Sequence, residues 1–432
     1  MAQSVSVLIV GGGGREHALA WRLRQENPGS RIVAAPGNPG IAEVAESVPI
    51  AAGDVGALVE FARREAIDWT LVGPEAPLAA GIADAFRADR LPIFGPSRAA
   101  AMLETSKAFS KAVMLEAGVP TARAIACNDL RGAERAIDDM GAPVVIKASG
   151  LAAGKGVVVC QTTGEAREAA ASMLEGHAFG DAGATVLVEE FMQGEELSLF
   201  VLTDGERVVP LPPARDHKRL LDGDRGPNTG GMGAYSPVSL DDADSLVDDV
   251  LERIARPTLD RMRARGAPFT GLLYIGLMLT DQGPKVVEFN CRFGDPETQA
   301  VLPAIGPEQS LSEVMLAIAR GDAIPGGVRF DVARHAVATV LASSGYPEQP
   351  RTGDRIDMPP IPGDVLVFHA GTKRDAGGPL ITAGGRVLAV TGLGDTFDEA
   401  QRRSLEFARA VRFEGKQFRS DIGWRERHRA VL

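Results

Sequence analysis

The chain has 432 residues, 45% hydrophobic and 24% charged, with a formal net charge of −11. That length exceeds one ordinary core and implies about two to four domains, and the composition is that of a globular chain and not a disordered one. An acidic balance without a long basic run argues against nucleic acid. Cys127, Cys160 and Cys291 are too scattered for a zinc site or a disulfide framework, and no apolar run is long enough to span a membrane, so a soluble cytoplasmic protein is expected.

From the N-terminus, strand and helix alternate. Val5–Val10 is a continuous apolar run ended by four glycines, and REHALAWRLRQ follows with Leu19 and Leu23 one turn apart. RIVAA is a second strand. Asp54 is placed to cap VGALVEFARREA, whose Leu58, Phe61 and Ala62 share a stripe, and DWTLVG, LAAGIADAFRAD and LPIFG continue the series. Repeated strand–helix units with fully apolar strands predict a doubly wound parallel sheet with helices on both faces.

Gly11 and Gly13 match the first two glycines of G-x-G-x-x-G, but Glu16 takes the third position and the second strand ends in AAPGNPG without an acidic residue for a ribose hydroxyl. Both departures argue against a dinucleotide. Ligands of such sheets lie beyond the carboxyl ends of the strands, where free helix amides favour a phosphate. The chain places Gly13, Gly14, Arg15, Asn38, Gly73, Pro74 and Glu75 there, with His17 nearby. A small phosphorylated sugar is the expected ligand, Glu75 accepting from an amine or hydroxyl. The plainer alternative is that the glycines only form tight turns.

Ser97–Pro120 reads as helix interrupted near Thr105–Ser106, with Lys107 just past the break. Next, APVVIKA and GVVVC flank GLAAGKG at 150–156. A P-loop needs four residues between its glycines, a Ser or Thr after the lysine, and a strand-to-helix context. Here three residues intervene, Gly156 follows Lys155, and both flanks are β-branched. The stretch is therefore expected to be a movable hairpin flap whose Gly154, Lys155 and Gly156 approach phosphates. Lys147 lies inside an apolar strand and needs an anion or a route to solvent.

TVLVEEFMQGEELSLFVLT reads as strand, turn, strand carrying Glu189, Glu190, Glu195 and Glu196. It is either a charged hinge or a nucleotide edge, with strand backbone against a purine and a carboxylate on ribose hydroxyls. GLLYIGLMLT and KVVEFNCRFGD read as adjacent strands. Glu288 and Asn290, two apart, share a face and make a hard-oxygen site for Mg²⁺, which Arg292 continues, and the apolar neighbours Val286, Val287 and Phe289 favour a strand buried on one side and functional on the other. A solvated strand face gives the same alternation. From Arg329 onward, alternating strands and a last helix predict a small α+β domain.

KASGLAAGKGVVV, DHKRLLDGDRGPNTGGMGAYSP and VVEFNCRFGDPETQ are similar to signature runs of the glycinamide ribonucleotide synthetases (phosphoribosylamine–glycine ligases), a family of the ATP-grasp superfamily. GGGGREHALAW, APGNPG, VGPEAPLAAGI and FGPS resemble its N-terminal domain, and HAGTK and GGRVLAVTGLG its C-terminal domain. The resemblance covers nearly the whole chain. It implies an α/β and α+β multidomain ATP-grasp fold: a Rossmann-like substrate domain at 1–103, a helical connector at 104–120, a lid subdomain at 121–191, a catalytic subdomain at 192–328 and a C-terminal domain at 329–432.

The activity it implies is ATP-dependent ligation of glycine to 5-phosphoribosylamine through glycyl phosphate, with Mg²⁺ or Mn²⁺. A monomer or weak dimer is implied, without nucleic-acid or membrane partners. Lys107 and Lys147 would bind the ATP phosphates, under a flap carrying Gly154, Lys155 and Gly156. Glu189, Glu190, Phe191 and Met192 would form the adenine hinge, Glu196 would hold the ribose, and Arg219 and Asn228 would add nucleotide contacts. Glu288 and Asn290 would hold the metal. Arg292 and Lys155 would act on the transferring phosphoryl group, and Asp216 would orient the glycine ammonium. Two departures stand out: Ser149 where the family has Asp, and Gly276 where many ATP-grasp enzymes supply a second metal carboxylate. The rival readings are an ATP-grasp ligase or carboxylase with another acceptor, and a dehydrogenase or regulatory module without ligase chemistry.

Overall fold

The computed structural model describes residues 5–151, 156–175, 183–375 and 378–429. Its first sheet runs Glu46–Ser47, Arg31–Pro36, Ser6–Gly11, Trp69–Val72, Ile93–Phe94, with every neighbouring pair parallel. Alternate residues of the first strand enter two separate cores, Leu8 and Val10 on one face and Val7 and Ile9 on the other. The strand is therefore apolar throughout because both faces are covered. Helix Gly14–Glu26 buries Leu19 and Leu23, and Asp54 caps Val55–Arg64 by accepting from the Ala57 amide at 3.1 Å.

The helix expected to break near Thr105–Ser106 does so at Ser106. Helix Arg98–Thr105 ends there, and the Ser106 hydroxyl caps the next helix, Lys107–Ala117, by accepting from the Phe109 amide at 3.2 Å. The cap fixes Lys107 at the first position of the new helix.

Two antiparallel sheets then face one another. One runs Ala124–Cys127, Val186–Glu190, Val144–Ala148, Val157–Cys160; the other runs Val208–Pro210, Glu195–Thr203, Gly271–Thr280, Gly283–Asn290. In the first, Val144, Ile146, Ala148, Val186 and Val188 pack on the helices Leu130–Met140 and Thr163–Leu174. The period of two sends Val145, Lys147 and Glu189 to the opposite face. The expected strand–turn–strand over 185–203 is thus not a hairpin: its strands belong to different sheets, and Phe191–Gly194 crosses between them.

A further sheet, Arg215–Asp216, Gly233–Ser236, His335–Ala342, Arg386–Gly394, Val365–His369, is covered by helix Phe397–Ala410. It joins residues 215–236, expected in the catalytic subdomain, to the expected C-terminal domain, so these two parts of the chain share one sheet. No helix among the described residues is long and apolar enough to cross a membrane.

Candidate functional site: a cavity between two sheets

A cavity of about 1090 Å³ opens between the two antiparallel sheets. Its wall collects Lys107, Lys147, Gly156, Glu189, Glu190, Phe191, Met192, Glu196, Asp216, Arg219, Asn228, Glu288, Asn290 and Arg292, with Arg15, Pro74 and Glu75 from the first sheet's loops. Gly13, Gly14, Asn38 and Gly73 are not among the residues lining it. Gly154 and Lys155 lie outside the described residues.

The flap's root is anchored to the Ser106-capped helix. The Ser149 carbonyl accepts from the Lys107 amide at 2.8 Å, and its hydroxyl accepts from the Ala108 amide at 3.1 Å. Serine at this position therefore satisfies a free helix amide without adding a carboxylate beside Lys107. The Lys107 ammonium donates to the Gly150 carbonyl at 3.1 Å. Burial draws its pKa down, while Glu288 supports its charge.

Lys147 solves its burial by pairing. Its ammonium lies 2.6 Å from Glu189, whose other oxygen is 3.2 Å from Lys111. Burial would raise the Glu189 carboxyl, but Lys147 and Lys111 bring it below its usual range. The Glu189 side chain therefore serves the lysines, and Glu190–Met192 form the crossing strand edge. Lys147 also donates to the Val287 carbonyl at 3.3 Å. That carbonyl is available because the pairing slips between Gly276 and Leu277: Gly276 faces Glu288 while Leu277 faces Val286. This bulge turns the apolar Val287 toward the cavity. Val287 and Glu288 are both half-buried and both line the cavity.

Glu288 and Asn290 share the cavity with Asp216, Glu196 and Glu297. Burial pushes the Asp216 carboxyl up to about 7; Lys218 opposes this, and Glu297, Glu196 and Glu288 add to it. Glu196 is engaged by Lys218, whose ammonium also lies 3.7 Å from Asp216. A side chain at Gly276 would come within 3.3 Å of the Tyr274 ring and 3.4 Å of Glu288, so a second carboxylate there would crowd the first. Carboxylate and amide oxygens gathered on one wall fit a hard divalent cation.

Arg292 does not extend freely along the metal face. It lies 2.8 Å from Glu104 and 3.3 Å from Glu75, so it joins the first sheet's loop to the cavity. Glu104 also accepts from the Cys291 amide at 2.7 Å. Burial would raise the Glu75 carboxyl, but Arg292 and Arg15 bring it below its usual range.

The strand-end loops are filled by Glu16, the residue that broke the dinucleotide pattern. It accepts from the Gly13 amide at 2.6 Å and from Arg15 at 2.6 Å. A Cβ at Gly11 would lie 2.7 Å from its side chain and one at Gly73 only 2.0 Å away. These glycines make room for a buried carboxylate. Asn38 is committed to backbone, donating to the carbonyls of Gly12 and His369 and accepting from the amides of Gly40 and Ile41. His17 accepts from the His369 amide at 2.8 Å, and burial lowers its pKa to about 3.

Sequence reasoning missed Lys111 and Glu104, which sit on helices with no motif of their own, and gave no role to Lys218 and Glu297, which lie between regular elements inside two of the signature runs. It also missed Arg386 and Arg425, which reach the cavity from the C-terminal region. Arg386 comes with a strand of the shared sheet and Arg425 with the helix Trp424–Arg429.

Family models of phosphoribosylglycinamide synthetase match the chain in order: the N domain over residues 5–104, the ATP-grasp (A) domain over 105–298 and the C domain over 336–425. A phosphoribosylamine–glycine ligase of Salmonella typhimurium is 47% identical over 426 residues, covering 98% of each chain. One from Xylella fastidiosa is 46% identical over 425 residues, covering 98% of this chain and 96% of its own. A crystal structure of the phosphoribosylamine–glycine ligase of Thermotoga maritima superposes with a TM-score of 0.85 at 35% identity, covering 97% of this chain and all of that one. The biotin carboxylase domain of the Hydrogenobacter thermophilus 2-oxoglutarate carboxylase, solved with MgADP and bicarbonate, shares the fold at a TM-score of 0.72 and 18% identity, covering 96% of this chain and 91% of that one.

Proposed function

This chain belongs to the phosphoribosylglycinamide synthetase family, and we propose that the cavity between its two antiparallel sheets is where the family's ligation takes place. The protein is an ATP-dependent carboxylate–amine ligase joining glycine to 5-phosphoribosylamine. The observation that carries the site assignment is the convergence of Lys107, Lys147, Glu288, Asn290 and Arg292 on one cavity from both sheets and the capped helix.

In this reading the purine lies against the crossing segment Glu190–Met192, the ribose is held by Glu196, and Arg219 and Asn228 close over the nucleotide. Lys107 and Lys147 lie along the phosphates, with the flap above them. A divalent cation on Glu288 and Asn290 would neutralise phosphate charge, and the all-oxygen donor set favours Mg²⁺ over softer ions. A glycine carboxylate oxygen attacks the γ-phosphorus as the bond to the β-phosphate oxygen breaks, giving glycyl phosphate and ADP. The amine of 5-phosphoribosylamine then attacks the acyl carbon, the bond to phosphate breaks and the amine loses a proton. Lys107, Lys147 and Arg292 stabilise the equatorial phosphoryl charge. Asp216 orients the glycine ammonium. Excluding water protects the acyl phosphate. Glu75, Pro74 and Arg15 bring the amine substrate to the cavity mouth, while Gly13, Gly14, Gly73 and Asn38 support that loop from behind. Three buried free cysteines are in keeping with a cytoplasmic protein, which we take to be a monomer or weak dimer.

The test is phosphate release from MgATP with glycine and phosphoribosylamine, omitting each in turn. Strict dependence on both, with one phosphate per amide formed, is expected. Turnover with a different acid or amine in place of either would assign the cavity to another substrate pair.

A further inference from the structure

The hairpin formed by Arg219–Leu221 and Arg225–Asn228 pairs with no other strand among the described residues, yet Arg219, Asp224 and Asn228 line the cavity. A lone two-stranded hairpin is marginal in water, so something else must hold it in place. The tip is stitched to the segment 419–425, some two hundred residues later. Arg419 donates to the Arg219 carbonyl at 3.2 Å and to Asp224 at 2.8 Å, and its far edge is held by Asp421 at 2.7 and 2.8 Å. Arg425 reaches the other Asp224 oxygen at 2.9 Å. Asp222 accepts from the Ser420 amide at 2.9 Å and from its hydroxyl at 2.5 Å, and Asp421 accepts from the Gly223 amide at 2.8 Å. Beneath the tip, His217 accepts from the Gly423 amide at 2.8 Å.

Arg419 is fully buried, and its guanidinium is spent on the hairpin and on Asp421. A planar fork that satisfies a carbonyl and two carboxylates at once fixes orientation in a way that a lysine does not. We infer that the segment 419–425 is a positioning element for nucleotide binding, with Arg419 and Asp222 setting the hairpin over the cavity. The inference rests on the reading of this cavity as the ATP site. The hairpin is held in place before the nucleotide arrives, so ordering it takes nothing from the binding free energy.

The test uses the full-length enzyme and Asp222→Ala, which removes the acceptor of both Ser420 bonds at the outer end of the stitch, away from the cavity lining. Losing two hydrogen bonds of ordinary net strength predicts an ATP KM and an ADP dissociation constant raised about tenfold. The value of kcat and the KM values for glycine and phosphoribosylamine should hold within about twofold, as expected for uniform binding lost at the nucleotide alone. Asp222→Asn keeps one acceptor and should recover most of the ATP affinity. Amide exchange of residues 219–228 should quicken in Asp222→Ala and slow again with ADP. Faster exchange with unchanged ADP affinity would overturn the inference and leave the site reading intact. Failure of the wild type to bind ADP, or ADP binding unaffected in Lys147→Ala, would instead overturn the site reading. Arg419→Lys is the second variant: a kcat loss without an ATP KM change there would also reject a positioning role.

Discussion

The ammonium of Lys147 lies 2.6 Å from the carboxylate of Glu189, on the cavity face of a strand pair whose other face is hydrocarbon. Glu189 is shared with Lys111, so a single carboxylate balances two buried cations. Removing it leaves both without their carboxylate, with only backbone and hydroxyl acceptors remaining. Glu189→Gln should lower stability by about 3–5 kcal/mol, the usual cost of breaking a buried pair, and weaken MgATP binding because Lys147 loses its charge or its place. Lys111→Met should have the smaller effect on binding, since Lys147 still balances Glu189. Urea unfolding alongside calorimetric ATP titration checks both halves; equal binding losses in the two variants would sink the idea.

Glu288→Ala should abolish turnover while leaving the fold intact. Its side chain is half-buried at a bulge and faces the cavity, so no core contact is lost. Loss of one electrostatic group aimed at developing charge typically reduces kcat by about 10²–10³. Circular dichroism and thermal melting should be unchanged. Near-wild-type activity at saturating Mg²⁺ would remove Glu288 from the metal site.

Gly73→Ala tests why glycine stands beside Glu16. The new methyl would start 2.0 Å from a Glu16 oxygen, and Glu16 is buried and bonded to the Gly13 amide and Arg15. Overpacking should cost about 1–3 kcal/mol, and displacement of the loop should raise the phosphoribosylamine KM more than the ATP KM. A uniform change in both KM values would show that the loop is not specific to the amine substrate.

Stability should fall below neutral pH through His17. Its pKa is about 3 in the folded chain because burial penalises the charged form, against an ordinary value of 6.5. Above pH 6.5 it is neutral folded or unfolded and contributes no pH dependence. As pH drops from 6.5 toward 3, the unfolded chain takes up the proton and the folded chain does not, so about 1.4 kcal/mol is lost per pH unit. His17→Asn should flatten the difference in unfolding free energy between pH 7 and pH 5 by about 2 kcal/mol. An identical pH slope in both proteins would assign the acid sensitivity elsewhere.

The sequence alone determined the local elements, because their causes are local. Apolar runs without alternation marked the doubly covered parallel strands, Asp54 marked a helix start, and the break at Ser106 placed Lys107. The pairing of Glu288 with Asn290 followed from the period of two. Motif strings added the ATP-grasp family and the glycine ligase activity. Other matters needed the fold, since they depend on which distant segments meet. The bulge that turns Val287 into the cavity is set by pairing with Gly271–Thr280. Glu189 serves lysines because the neighbouring strand brings Lys147, and the helix Lys107–Ala117 brings Lys111, to its two oxygens. Glu16 fills the turn between two strand ends that are far apart in sequence, Gly11 and Val72, as the Gly11 and Gly73 contacts show. Arg419 reaches a hairpin in the middle of the chain because residues 215–236 share a sheet with the C-terminal strands. Spacing in sequence fixes which face a side chain takes on its own element; only tertiary packing decides what stands opposite that face, and the charge partners at this site are nearly all of that second kind.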